Sequence, residues 1–285
     1  MSPNTNEILI TIEGLSKHLI QGLNKLTDDQ WESPSRCHMW AVKDVVSHLV
    51  AINGFFLNSM TRALEGDSLP AHGMPNPGTG NAVQMSDGIA SRAIQMSETT
   101  LSRRIDSMDA LTYLENSLIT MWKKLDESQW DIPAYHPVNQ LSPNLILELK
   151  LMEIIVHSWD IFNGVDAKYK ISNRGGILLC DVWKNSLLNR WLFTPANTQN
   201  DLVQLDFEIG SGKSLRLINY NASLTMTDEY KKNDPADATI QIAPETLALA
   251  ITARKNLVDL VESHEAHIEG NKDKALLFHN WFKGS

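Results

Sequence analysis

Apolar residues recur at intervals of three and four along the first two thirds of the chain, which is the period expected of helices that bury one face. The pattern changes near Thr194 to an alternation of apolar and polar residues, which is typical of half-buried strands. The helices predicted before this change cover residues 6–24, 41–65, 85–105, 110–125, 145–162 and 173–192. The elements predicted after it are strands at 203–209, 214–220, 222–226, 238–242 and 266–269, and helices at 244–253 and 273–282.

This order of elements predicts two domains. A mainly α domain, residues 1–172, precedes a smaller α+β domain, residues 173–285, and we expect the boundary to fall between residues 166 and 200. Two loops rich in Gly, Pro and polar residues interrupt the helical domain, at 66–83 and 127–143. The first loop is long enough to act as a lid, and disorder is the alternative interpretation.

The predicted helix 145–162 has a carboxylate and an imidazole on the same face as its apolar residues. Glu153 and His157 are four residues apart, so their side chains point the same way from a broad apolar stripe. Burial of a charged carboxylate is costly unless another group pairs with it, and a divalent metal would pair with both side chains at once. The alternative is that the carboxylate and the imidazole simply hydrogen-bond to each other, since this spacing alone is a weak motif.

The predicted helix 41–65 offers a third ligand. His48 shares the inward face with Val45 and Ile52, although a core histidine with a satisfied hydrogen bond is the alternative. Trp40, just before the helix, is predicted to cap the core. Two loop histidines are weaker candidates: His72 lies in the long loop, which is a poor place for a fixed ligand, and His136 is predicted to be exposed to solvent.

Composition narrows the class of protein and of site. The formal net charge of −9 and the lack of a basic cluster exclude nucleic acid as a main partner. The two cysteines, Cys37 and Cys180, are too few for a disulfide framework or a thiolate zinc site, so any metal must be bound by His and carboxylate. No apolar run has the length of a membrane span, and no signal peptide is recognisable, which predicts a cytoplasmic protein.

Two phrases of the chain resemble a known family. The segment PSRCHMWAVKDVVSHL, residues 34–49, looks like the start of the mycothiol-dependent maleylpyruvate isomerase family within the DinB-like superfamily. Glu153-x-x-x-His157-x-Trp159-Asp160 is similar to that family's second metal motif. The resemblance implies a four-helix bundle that holds a divalent metal, usually zinc, through His48, Glu153 and His157. Residues 236–253 and 267–282 resemble the sterol-carrier-protein-2-like module that often follows this bundle.

The first phrase departs from the family pattern at the rim of the expected site. Met39 stands where the family usually has glycine, and His38 stands where it usually has proline. His38 and Trp40 are therefore candidates to line a pocket. Asp160 is a candidate to orient a ligand histidine from behind, and an ordinary helix-end aspartate is the alternative.

The ligand set and the resemblance together predict an enzyme that activates a low-molecular-weight thiol for attack on an electrophilic small molecule. The thiol is mycothiol, bacillithiol or glutathione, and the metal is Zn²⁺, with Fe²⁺ or Ni²⁺ as alternatives. Two other enzyme classes use such ligands, namely non-haem Fe(II) oxygenases and metal-assisted hydrolases. A non-catalytic carrier of a small molecule or lipid is a further alternative. Arg216, Arg254 and Lys255 are weak candidates to bind an anionic substrate, and exposed surface charge is their default interpretation.

Overall fold

The computed structural model divides the chain into two compact units. The first is formed by Met1–Gly80 and Gln84–Lys170, and the second by Ile171–Ser285 with Asn81–Val83. The residues that the structure describes are 3–80, 82–185, 188, 192, 202–210, 212–221, 223–230 and 234–282. Within these residues no helix is both long enough and apolar enough to cross a membrane.

The first unit is a helical bundle, so the predicted fold class of this half is confirmed. Its helices are α1 (Pro3–Lys25), α2 (Asp28–Glu32), α3 (Val42–Leu64), α4 (Ala82–Glu98), α5 (Arg104–Lys124) and α6 (Pro143–Val165). Helices α1, α3, α5 and α6 form the four-helix core, in which α1 and α3 each pack against both α5 and α6. Helix α6 is buried over most of its length and lies at the centre of the unit.

The helical half differs from the prediction between α4 and α5 and again after α1. The third predicted helix does not run to Ile105, because α4 ends at Glu98 and α5 begins at Arg104. Between them the N–H of Leu101 bonds to the carbonyl of Met96, which closes a turn. The segment after α1, which lies between the predicted helices 6–24 and 41–65, contains the short helix α2, and Thr27 caps the start of this helix with a capping box.

A small hairpin lies in the second predicted loop, between a 3-10 turn (Glu127–Asp131) and α6. Strands β1 (Ala134–His136) and β2 (Asn139–Leu141) pair antiparallel, and β1 packs against α3. The long loop is docked on this hairpin, since the N–H groups of Gly78 and Gly80 donate to the carbonyl of Pro137 at 3.0 and 3.1 Å. A Cβ at residue 80 would lie 2.7 Å from the Pro137 Cβ, so this approach requires glycine.

The second unit is α+β, as predicted. Its elements are α7 (Asn173–Val182), β3 (Val203–Glu208), β4 (Ser214–Tyr220), β5 (Ser223–Thr227), β6 (Ala238–Ile242), α8 (Pro244–Ile251), α9 (Leu257–Glu262), β7 (Ala266–Gly270) and α10 (Lys272–Leu276). The sheet order is β5-β4-β3-β6-β7, and β3 pairs parallel with β6 while the other pairs are antiparallel. Helix α9 was not predicted, and the last predicted helix is divided into α10 and a 3-10 turn (Leu277–Asn280). The predicted end of the helix at 173–192 lies largely outside the described residues.

Candidate metal centre

Three donor atoms from α3 and α6 converge in the core of the bundle. His48 Nε2 lies 3.1 Å and His157 Nε2 lies 3.2 Å from the same carboxylate oxygen, Oε2 of Glu153. One donor atom from each of the three residues lies within 4.8 Å of the others, and the two imidazole rings meet edge to face at 4.7 Å. The structure therefore brings together the three residues that the sequence placed on inward faces.

Burial and hydrogen bonding have opposite effects on the pKa values of Glu153 and His157. The side chains of His48, Glu153 and His157 are 9%, 11% and 5% exposed. Burial acts to raise the pKa of Glu153, but hydrogen bonds from His157 and His48 outweigh it and hold that pKa well below its usual range. Burial acts to lower the pKa of His157, and its bonds to Asp160 and Glu153 outweigh that effect, so this pKa is raised.

Asp160 lies directly behind His157. Its Oδ2 accepts a hydrogen bond from Nδ1 of His157 at 2.9 Å, and the side chain of Asp160 is fully buried. This bond fixes the ring so that Nε2 faces Glu153, which is the way a carboxylate orients a histidine that binds metal.

Trp40 forms one wall of the centre. Its indole ring lies 5.2 Å from the ring of His48 and 6.3 Å from that of His157, and Trp40 is 6% exposed. The loop before it is fixed on α6, because the N–H of Arg36 donates to the carbonyl of Asp160 at 2.9 Å. A Cβ at Gly164 would lie 3.0 Å from the carbonyl oxygen of Pro34 and leave little room for the loop.

The two departures from the family phrase are at exposed positions beside this wall. Met39 has a backbone φ of 67° and is 79% exposed. A positive φ is the conformation that glycine adopts without strain, which explains why glycine suits this position. His38 is also exposed.

The donor set fits a divalent cation. Two imidazole nitrogens and one carboxylate oxygen form a site with positions open for a further ligand, and Asp160 supplies the outer carboxylate that such sites use. Among the residues that the structure describes, the one group of three or more His, Cys, Asp or Glu side chains placed to bind a metal ion consists of His48, Glu153 and His157.

His136 was predicted to be exposed, and this prediction is wrong. Its side chain is only 3% exposed because β1 packs it against α3, where its ring lies 5.8 Å from that of Phe55. Burial lowers the pKa of His136 to about 4, although the charge of Glu153 acts to raise it. No periodic pattern marks a three-residue strand, so this burial could not be predicted from the sequence. His72 is exposed in the loop.

Arg216 and Arg254, two of the weak candidates for substrate binding, each bond to groups of the second unit. Arg216 is 2% exposed, so its predicted place on the surface is wrong. Its guanidinium makes two bonds to Asp206, at 2.7 and 2.8 Å, and a third to the carbonyl of Asp234 at 2.8 Å. Arg254 is half-buried and donates to the carbonyl of Thr252.

Known proteins match this chain at the level of family and fold. The family model described as the mycothiol maleylpyruvate isomerase N-terminal domain matches residues 14–162, which is more than half of the chain. A search of curated proteins found no match.

Solved structures support the same fold. A mutant of the mycothiol-dependent maleylpyruvate isomerase matches with a TM-score of 0.61 and 12% identity, over 90% of this chain and 93% of that one. The same protein without the mutation matches with a TM-score of 0.57 and 13% identity over the same shares. A ubiquinone synthesis protein, UbiJ-SCP2, matches 36% of this chain and 95% of that one at 21% identity, with a TM-score of 0.28 that is too low to show a shared fold.

The matched residues 14–162 include His48, Glu153 and His157. From the family match and the shared fold, we conclude that this chain belongs to the mycothiol maleylpyruvate isomerase family.

Proposed function

We propose that the protein is a divalent-metal-dependent thiol transferase or isomerase, in which His48, Glu153 and His157 bind the metal. The observation that carries the proposal is the convergence of three donor atoms within 4.8 Å inside a chain of this enzyme family. We further infer zinc as the ion, because two histidines and one glutamate with an open position are a ligand set of catalytic zinc sites.

A divalent cation at these donors supplies the positive charge that lowers the pKa of a bound thiol and makes it a nucleophile at neutral pH. The one carboxylate of Glu153 offsets half of that charge, so the centre still favours an anionic ligand. Asp160 keeps the Nε2 of His157 turned toward the ion, and the ring of Trp40 excludes water from one side. These residues bind and orient, while the thiol is the reacting group.

The substrate class follows from what a thiolate attacks. A soft anionic sulfur adds readily to an alkene conjugated with a carbonyl group, and the maleylpyruvate named for the structural relatives contains such a bond. The partners are therefore a low-molecular-weight thiol, such as mycothiol, and an electron-poor small molecule. The cytoplasmic location and a sterol-carrier-protein-2-like second unit remain predictions.

The metal content of the purified protein tests the site. After removal of loosely bound metal and reloading with zinc, we expect about one ion per chain, since three protein ligands and an open position define a single site. His48→Ala and Glu153→Ala are expected to lose the ion and remain folded, whereas His72→Ala, a matched exposed histidine, should keep it. Full metal content in both site variants would contradict the assignment.

The dependence of turnover on an added thiol tests the proposed reaction. The zinc protein should convert maleylpyruvate only when mycothiol, bacillithiol or glutathione is present, and both site variants should be inactive. Activity that needs iron and oxygen but no thiol would instead favour an oxygenase, which uses the same types of ligand. A metal-loaded protein that hydrolyses its substrate without thiol would favour the metal-assisted hydrolase.

A further inference from the structure

A groove lies at the surface of the bundle between α3 and α5, which pack against each other. It has a volume of about 730 Å³. Its apolar lining residues are Leu57 and Leu64 of α3, Tyr113 and Met121 of α5, and Leu125 just after α5. The exposed fraction is 68% for Tyr113 and 37% for Leu64. An exposed aromatic side chain beside an apolar groove is typical of surfaces that bind another protein.

One exposed stripe of α5 borders this groove. Asp109, Tyr113, Asn116, Thr120 and Lys124 follow one another at intervals of three and four residues, so their side chains lie on one face of the helix. All five residues are exposed, and all except Asp109 line the groove. The stripe therefore has a carboxylate at its start, an ammonium group at its end and an aromatic ring between them.

The two charges of this stripe differ from their neighbours on α5. The neighbouring Asp106 and Lys123 each form an ion pair within the chain. Among the residues that the structure describes, neither Asp109 nor Lys124 has an ion-pair partner. Both charges are thus available to a second molecule.

The order of these charges is self-complementary about the middle of the stripe. When two copies of α5 lie antiparallel with a twofold axis between Asn116 and Ser117, Asp109 of each copy faces Lys124 of the other. The same interface then contains this ion pair twice, once at each end. A face that repeats one sign of charge would not pair with itself in this way.

The same arrangement places the aromatic ring against the groove of the second copy. Tyr113 of each copy faces Thr120 of the other, which lines that groove, so the ring can bury its exposed surface against apolar neighbours such as Met121. Asn116 and Ser117 meet at the axis. The Ser117 hydroxyl already donates to the carbonyl of Tyr113 at 2.8 Å, and it can accept a bond from the Asn116 amide of the other copy.

We propose that this face of α5 and the adjoining groove form an interface between two copies of this chain, arranged antiparallel about a twofold axis. A second copy fits because the face presents both signs of charge in an order that pairs with itself. A partner that carries one sign of charge would place a like charge opposite either Asp109 or Lys124. The inference is independent of the proposed metal chemistry, since no residue of this face is a metal ligand.

Sedimentation equilibrium of the purified, zinc-loaded chain measures the association. The mass of the wild type should rise from 32.0 kDa toward twice that value. We expect this rise between about 1 and 100 µM, because a small and partly polar interface gives modest affinity. Tyr113→Ser removes the aromatic anchor and should raise the dissociation constant at least about tenfold.

Exchange of the two charges tests the antiparallel pairing. Asp109→Lys alone places like charges opposite each other at both ends of the interface, and so does Lys124→Asp alone, so each variant should be monomeric over this range. An equimolar mixture of the two variants has opposite charges at both ends and should dimerise about as strongly as wild type. Glu262→Lys, an equal change of charge at an exposed position of the second unit, is the control and should associate as wild type does.

A wild type that remains at 32.0 kDa throughout the range would overturn the proposal. A mixture that is no more associated than each variant alone would also overturn it. If both single variants kept an unchanged wild-type dimer, the interface would lie elsewhere on the chain and the proposal would be wrong. The zinc content of every variant should equal that of wild type, which separates loss of association from loss of folding.

Discussion

Two buried polar clusters lie one turn apart on helix α6 and are neutralised in different ways. In the first, Nζ of Lys150 lies 2.5 Å from Oε1 of Glu115, which also accepts a bond from the side-chain amide of Asn53, and neither charged side chain is exposed. In the second, three residues later, Glu153 and Asp160 face the imidazoles of His157 and His48. The first cluster has one cation for one anion.

The comparison shows that burial alone does not distinguish a structural cluster from a functional one. The Lys150–Glu115 pair balances its two charges without any addition, although Oε2 of Glu115 has no hydrogen-bond partner among the described residues. The other cluster has two carboxylates and two groups that are cationic only when protonated, so it is completed either by protons or by a metal ion. The chain does not supply this positive charge permanently, and this is our reason for proposing the second cluster as a metal site.

The first prediction concerns the Lys150–Glu115 ion pair and has the largest expected effect on stability. Lys150→Met should lower the free energy of unfolding by about 3–5 kcal/mol, because it leaves the charge of Glu115 buried without a partner. Urea denaturation of the metal-free protein measures this loss.

The double variant Lys150→Met, Glu115→Leu controls for the change in packing. Since it removes both charges, it should recover most of the lost stability. If the single variant were as stable as wild type, the Lys150–Glu115 pair would not be the ion pair described above.

The second prediction concerns Glu148, a third buried carboxylate on α6. Neither a lysine nor the proposed metal site neutralises its charge, so it extends the comparison to a carboxylate that can be neutralised only by a proton. Glu148 is 9% exposed, and burial raises its pKa to about 7, although a bond from Asn144 acts to lower it. The folded state therefore binds a proton between about pH 4.5 and 7 that the unfolded state releases, so stability falls as pH rises through this range. Above about pH 7 we expect Glu148→Gln to be more stable than wild type by about 3 kcal/mol, and near pH 4 equal to it.

Chemical denaturation at several pH values checks this difference. Glu65→Gln, at an exposed position near the end of α3, is the control and should shift stability little at any of them. A stability difference that does not vary with pH would show that Glu148 does not titrate in this range.

The smallest predicted effect concerns the residue behind the second cluster. Asp160→Asn should weaken zinc binding about 10- to 100-fold, because the amide still accepts the His157 bond but no longer supplies a negative charge. The matched control is Asp166→Asn, at the exposed end of α6, which should bind zinc as wild type does. Competition with a chelator measures both affinities, and equal values would mean that Asp160 does not act on the ion.

The sequence predicted the features that depend on helical period. Glu153 and His157 are on one face because four residues make about one turn, and His48 is inward because its neighbours are apolar. The fold class followed from the same periodicity together with the family resemblance.

Features that depend on pairing across the chain could not be predicted. Lys150 and Glu115 are on different helices, and their bond appears only after those helices pack. The burial of His136 depends on a three-residue strand, which is too short to show alternation. Arg216 looked like a surface charge because its partner, Asp206, is on the neighbouring strand.

The position of Trp40 gives the protein an optical signal. An excited indole loses its emission to a protonated imidazole or to an open-shell metal ion at short range, and Trp40 has the rings of both His48 and His157 close by. The protein contains eight tryptophans, so the signal of this one is the part of the emission that disappears in Trp40→Phe. Zinc, which has a filled shell, should brighten that component by displacing protons from the two histidines, whereas cobalt in the same place should darken it.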